Sequence, residues 1–307
     1  MVNGKYKTGT LTLSADKLLR KEFIERYIIS KMNPQLYFLG LFPTYDTKGA
    51  TSFTYFRDDE SAEDDIVKGV MTEPLPVTER SNLSKLDVSP ISKKTGDMYR
   101  FGYEIKYSEE KARENGFVDE VLRTYDRASY GMSRKINLDI LHILDANAEA
   151  TPIDLNDGQW KTSAAINEDF IDMQYSFEDT EGWDYTLTNA FLNTQNYREV
   201  DKFYSALDKF TPNDTEGINL TNVKKSIPAG TLYGIDNNLK PITMYKYVNP
   251  KHSTISADDK KGHSMGGLIN IHMKETDEFP FTNKIQMWCE IGFAVKHPKA
   301  ILKQTGL

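Results

Sequence analysis

The sequence predicts an α+β subunit, and three observations carry the prediction. From Phe117 to Asn147 the apolar residues Val118, Val121, Leu122, Tyr125, Ala128, Met132, Ile136, Ile140 and Ile143 recur three and four apart, the spacing that lays one apolar stripe along an α-helix. Tyr99 to Tyr107 and Ile285 to Val295 instead alternate apolar and polar residues, the signature of half-buried strands. Between them in character lies a long excursion, Asp58 to Gly96, with very few large apolar residues. Helices and strands interleave without an internal repeat, which excludes a solenoid and an all-helical bundle.

Met1 to Leu13 carries Gly4 and Gly9 with no period and reads as an extended arm. Ser14 is placed to cap a short helix whose Leu19, Phe23 and Tyr27 stand four apart, with Asn33-Pro34 ending it. Leu36 to Phe42 is an apolar run of strand length, and Ser52 to Arg57 alternates as a second strand. The excursion then opens with the acidic run Asp58, Asp59, Glu60, Glu63, Asp64, Asp65 and passes Pro74, Pro76 and Pro90. A connection of this length without a core-building pattern is usually functional or disordered. With a strand on either side, it reads as a two-armed loop that projects from the body and finds its burial on a neighbouring subunit.

Ser108, Glu109 and Glu110 make a helix start, and Asn115-Gly116 a stop or kink before the long helix. At 1.5 Å per residue that helix spans roughly 45 Å, more than packing within one domain requires. It reads as a strut with a charged outer side, on which pairs such as Asp119 with Arg123 contribute little singly. Ala148 to Gly158 is a polar linker. A helix with Ile166, Phe170, Met173 and Phe177 follows, then a strand with Tyr185, Leu187 and Phe191 and a helix with Tyr197, Val200, Phe203, Tyr204 and Leu207. Thr211 to Asn222 and His252 to Gly267 are loop-rich. Ile269, Ile271 and Met273 form one strand and Ile285 to Val295 a long alternating one near the end of the sequence; one side of the strut's stripe is expected to pack on a sheet that includes a late strand.

With 307 residues, 39% hydrophobic and 11% aromatic, the chain can bury a large core in one or two domains. No window approaches the ~18 uninterrupted apolar residues of a membrane span, and the polar start is unlike a signal peptide, so an intracellular protein is expected. The single Cys289 rules out an internal disulfide and a thiolate zinc cluster, and is expected in the core. A net charge of -7 argues against general affinity for nucleic acid phosphates, while leaving local basic patches open.

The search for chemistry yields no site. His142, His252, His263, His272 and His297 lack the helical i, i+4 metal spacing. Ser108 to Lys111 imitates a Ser-x-x-Lys motif and Lys94-Thr95-Gly96 its later partner, but the order is reversed and the Ser-Asp-Asn element is missing. A calcium loop beginning at Asp58 would need glycine and glutamate where Glu63 and Gly69 stand. The Asn-x-Ser/Thr triplets at Asn82, Asn213 and Asn219 matter only in a secreted chain, and Gly262, Gly266 and Gly267 lack a following Gly-Lys-Ser/Thr. No catalytic, cofactor-binding or metal-ligating residue is therefore predicted, and no cofactor.

The order of parts resembles the major capsid proteins of tailed double-stranded DNA viruses, the Hong Kong-phage-type coat fold with its N-arm, E-loop, spine helix in a peripheral domain, and axial domain. Met98-Tyr-Arg-Phe-Gly-Tyr-Glu-Ile-Lys-Tyr-Ser-Glu-Glu-Lys is similar to that family's strand leading from the E-loop into the spine. Cys289-Glu-Ile-Gly-Phe-Ala-Val-Lys-His-Pro-Lys-Ala-Ile is similar to its closing strand. The resemblance implies an N-arm and docking helix over 1–48, the E-loop with flanking strands over 49–108, a peripheral domain over 109–165, an axial domain over 166–280, and a closing strand and tail over 281–307. It implies a structural protein that catalyses nothing and assembles with itself, as pentamers and hexamers, into an icosahedral shell around a DNA genome. Its expected place is the virion, after synthesis in host cytoplasm.

A portal is an expected partner, as is a separate scaffolding protein, since only some fifty residues precede the loop. A cement protein is left open, and neither sequence-specific nucleic acid binding nor a membrane is expected. Some relatives crosslink an E-loop lysine; Lys85, Lys93 and Lys94 lie there, and nothing in the sequence selects one. Two other readings stand beside this one: a soluble α/β enzyme without a recognisable motif, and a cellular nanocompartment shell of the same fold.

Overall fold

A computed structural model describes residues 6–8, 11–13, 20–38, 41–58, 91–108, 117–150, 160, 162–180, 184–203, 217–224, 227–228, 230–247, 268–275 and 282–305. The expected extended arm is folded back: β1 (Tyr6–Thr8) pairs antiparallel with β2 (Leu11–Leu13), Tyr6 opposite Leu13. Self-pairing satisfies backbone groups that a lone extended strand leaves open.

Helix α1 (Lys21–Met32) buries Ile24, Ile28, Ile29 and Met32. The core face is thus rotated one position from the Phe23 and Tyr27 line, whose rings stack at its edge 5.8 Å apart. Its N-cap is Arg20, without a side-chain cap; Ser14 and Leu19 lie outside the described residues. Asn33 and Pro34 end the helix as expected, in a 3-10 turn. The run Leu36 to Phe42 is not a strand in its described part. Phe38 and Phe42 are buried there in irregular chain, because a short apolar run by itself does not distinguish a strand from any other buried segment. The strand comes later, as β3 (Thr44–Asp46).

Next, β4 (Ser52–Asp58) and β5 (Ile91–Asp97) form a separate antiparallel ribbon, from Ser52 opposite Asp97 to Asp58 opposite Ile91. Sequence reasoning placed the returning arm at Tyr99, but that stretch, β6 (Tyr99–Ser108), belongs to the body. The true returning arm, Ile-Ser-Lys-Lys-Thr-Gly-Asp, has no apolar alternation to reveal it. Ser108 ends β6, and the helix start expected behind it falls on 109–116, outside the described residues.

The long helix α2 (Phe117–Asn147) has the predicted bounds, with Val121, Tyr125, Ala128, Met132, Ile136 and Ile140 buried. In α3 (Ser163–Glu178) the Thr162 side chain caps the N-terminus by accepting from the Ala165 N–H, and Ile166, Phe170, Met173 and Phe177 are buried as expected. β7 (Asn189–Leu192) is shorter than predicted, with Tyr185 and Leu187 buried ahead of it. After α4 (Thr194–Phe203) come four strands that sequence reasoning missed: β8 (Asn219–Asn222), within a stretch expected to be loop, β9 (Thr231–Ile235), β10 (Ile242–Lys246) and, at the end, β13 (Ile301–Thr305). The expected β11 (Ile269–Glu275) and β12 (Thr282–Val295) are present.

β12 is the axis of the larger sheet. β6 pairs along it from Thr282 to Ile291. β11 and then β10 pair along its other edge, and β3 runs parallel to β10. One core fills the space between this sheet and α1 and α2. The smaller sheet, ordered β13-β9-β7-β8, is covered on both faces. Phe191, Tyr233, Ile235 and Ile301 join the first core, while Ala190, Leu192, Leu232 and Leu302 join a second core under α3, α4 and Trp160. That double coverage explains why β7 and β9 are buried at every position.

Candidate functional site

The β4–β5 ribbon is the most weakly buried part of the described body. Among its described side chains only Phe53 is buried. The Phe53 ring stacks on Tyr245 with centroids 4.0 Å apart and planes 12° apart. Gly96 and Gly292 lie against the same ring. Further out, Arg57 Nη2 donates to Glu149 Oε1 at 2.9 Å and Nη1 to Asn147 Oδ1 at 3.3 Å, tying the ribbon to the end of α2. Phe56 is 59% exposed. A two-stranded ribbon with both faces open is marginal by itself, and among the described strands β4 and β5 pair only with each other, leaving edges of the kind suited to another chain.

Helix α2 anchors its neighbours by a repeated device. Tyr27 of α1 donates to Asp126, Tyr99 of β6 to Asp139, and Tyr233 of β9 to Asp145. Each carboxylate also meets an ammonium, from Lys31, Lys135 and Lys303 respectively. Burial, then the hydrogen bond to Asp139, push the Tyr99 hydroxyl far above its usual range.

The opposite side of α2 is solvent-facing. Arg123, Arg127, Tyr130 and Arg134 are exposed, at spacings of four, three and four, which is one line along a helix. The expected Asp119–Arg123 pair is not formed. Among the described residues none of the three arginines has an ion pair or hydrogen bond. Where the line ends, Tyr130 and Arg134 border a pocket of about 420 Å³ whose other walls come from Gln35, Tyr37 and Lys224. Ser133 and Asn137, both buried, also line it. Asn137 Nδ2 donates to the Gln35 carbonyl at 2.6 Å, while Asn137 Oδ1 and Gln35 Oε1 accept no hydrogen bond.

Among the described residues no cluster of three His, Cys, Asp or Glu could hold a metal ion, and no helix is long and apolar enough to cross a membrane. His142, His272 and His297 sit on α2, on β11 and behind β12; His252 and His263 lie outside the described residues. So do Asp59 to Asp65, Asn82, Lys85, Lys111, Asn213 and the three loop glycines. Lys94, Thr95 and Gly96 are consecutive residues of β5, and Asn219 is exposed on β8. Cys289 is fully buried, its Sγ 4.0 Å from Met132 Sδ, and burial pushes its thiol up to about 12. It is a packing residue, as expected.

The phage capsid protein family matches residues 93–304. No curated protein matches the sequence. Among solved structures, the fold is similar to the virus-like particle from Pyrococcus furiosus, at 9% identity and a TM-score of 0.56 over 92% of this chain and 97% of that one. It is similar to the capsid of cyanophage P-SCSP1u, at 8% identity and 0.54 over 86% of each. The holo-SrpI encapsulin complex from Synechococcus elongatus PCC 7942 is also similar, at 8% identity and 0.54 over 90% of this chain and 88% of that one.

Proposed function

The chain belongs to the phage capsid protein family, and from that premise we propose that it is the major coat protein of a tailed virus, closing as pentamers and hexamers into an icosahedral shell around double-stranded DNA. It is a structural protein with the Hong Kong-phage-type fold, and its work is to bury surface between copies. The single observation that supports this division of labour is the ribbon, whose described residues bury only Phe53 within their own subunit. Residues 49–108 then supply the projecting loop together with its flanking strands, 109–165 the peripheral region with its spine helix, 166–280 the axial region, and 281–307 the closing strand and tail, with 1–48 as arm and docking helix. A portal and a separate scaffolding protein are the partners such a shell requires, with synthesis in host cytoplasm before entry into the virion.

Electron microscopy of the purified protein tests the reading: shells, tubes or hexameric rings are expected, and persistent compact monomers would sink it. The likeness to the Synechococcus encapsulin favours one second reading, a nanocompartment shell. Small particles that copurify an enzyme and no DNA would select it.

A further inference from the structure

We propose that the exposed face of α2 from Arg123 to Arg134 binds the phosphodiester backbone of nucleic acid, and is thereby the face turned toward the packaged genome. The inference rests on the coat reading for its setting, but the surface chemistry stands by itself. The chain is acidic, with 45 Asp and Glu against 38 Lys and Arg, so a line of three guanidinium groups without partners is a departure from its surroundings. One acid, Asp119, stands on the same line one turn before Arg123 without pairing to it, and the other acids of the helix are placed otherwise. Glu120 sits in its first turn, and Asp126, Asp139 and Asp145 are each engaged by a tyrosine and a lysine.

Eleven residues of helix place the three guanidinium groups along about 16 Å, enough to follow successive phosphates on one strand. All three are arginine, whose planar fork matches phosphate oxygens bidentately and whose charge does not titrate. The pocket at the end of the line supplies a second, independent observation. Asn137, 3% exposed, and Gln35 present carboxamide oxygens with no donor, beside the rings of Tyr37 and Tyr130. Unpaired acceptors call for N–H or O–H groups, which an anion alone does not bring. A DNA duplex carries both kinds of group, with phosphate oxygens for Arg134 and, at its groove edges, the amino N–H groups of the bases for the carboxamides. An acidic segment of a second copy is the competing occupant; it satisfies the arginines and leaves the aromatic, acceptor-lined pocket unused.

The test is fluorescence anisotropy of a labelled DNA duplex with unassembled full-length subunits, titrated between 50 and 200 mM salt. Replacing Arg123, Arg127 and Arg134 together by Gln should weaken binding at least about tenfold and make the log-log salt slope shallower by about 2.7, because each lost phosphate contact removes about 0.9 from that slope. The triple Arg→Lys variant should keep the slope, and Lys135→Gln, whose ammonium is held by Asp139, should leave binding unchanged. Wild-type subunits that do not bind DNA at 50 mM salt, or a Gln variant with unaltered slope, would overturn the proposal. So would a Gln variant that stops assembling yet binds DNA as before, the result expected if the face docks a second copy. Shell formation is scored separately by microscopy: a wild-type protein that binds DNA through these arginines but never assembles refutes the coat reading alone.

Discussion

Gly102 lies on β6 opposite Trp288 of β12, and a Cβ added there would overlap the Met287 carbonyl oxygen and the Trp288 backbone. Because the obstacle is backbone in the central strand of the sheet, neither partner can move aside without breaking the ladder. Gly102→Ala should therefore destabilise the subunit by about 1–3 kcal/mol, the usual cost of overpacking, seen as a lower urea midpoint at unchanged slope. Cys289 illustrates the reverse, a buried residue whose chemistry is suppressed. With its thiol pushed up to about 12 by burial, the thiolate is scarce at pH 8 and no path leads a reagent to it. A thiol-reactive dye should leave the native protein unlabelled and label one site after denaturation; rapid native labelling would mean that α2 lifts from β12. Cys289 was legible as core because strict alternation sets it on the same face as Met287 and Ile291, all three buried.

At the scale of elements, the three tyrosine–aspartate ties on α2 should rank by the burial of their carboxylates. The Asp139 side chain is 13% exposed, against 46% for Asp126 and for Asp145. Hydrogen bonds to buried charge are worth about 1.5–3 kcal/mol, exposed ionic contacts about 0.2–1. Tyr99→Phe should accordingly cost more than Tyr27→Phe or Tyr233→Phe in urea denaturation, and equal costs would contradict the ranking. The Asp145 tie also has a pH signature. Hydrogen bonds from Lys303 and Tyr233 hold the Asp145 carboxyl below its usual range, against the opposing pull of burial. A depressed carboxylate stabilises the fold above its unfolded pKa of about 3.9 and loses that contribution as pH falls through the folded value. The small stability difference between wild type and Asp145→Asn at pH 7 should thus fade below about pH 4. Sequence spacing showed the helix to have a charged side, but not the partners of these aspartates. Tyr27 is 99 residues from Asp126 and Tyr233 is 88 from Asp145, distances that periodicity does not reach.

At the scale of the molecule, what was legible was whatever carries a long, regular period. The bounds of α2, the β6 and β12 strands and the α3 face were read correctly because each buries one side against a continuous partner. The misses share a different cause. β8, β10 and β13 are four or five residues long, and β9 is buried on both faces, so no polar alternation marks it. The described side chains of β5, from Lys93 to Asp97, are exposed or half-buried on both faces and have nothing to alternate. That last miss bears on function, since a ribbon with little burial of its own is stable only if something else covers it. The stacking of Phe53 on Tyr245 and the pairing of the body strands involve none of residues 59–95, so removing that stretch leaves both in place. A protein lacking 59–95 should therefore unfold cooperatively at a urea midpoint close to wild type, yet form no closed shell by microscopy or sedimentation. Shells formed without the ribbon would show that assembly runs through other surfaces, and a variant that fails to fold would show that the ribbon is part of the subunit's own core.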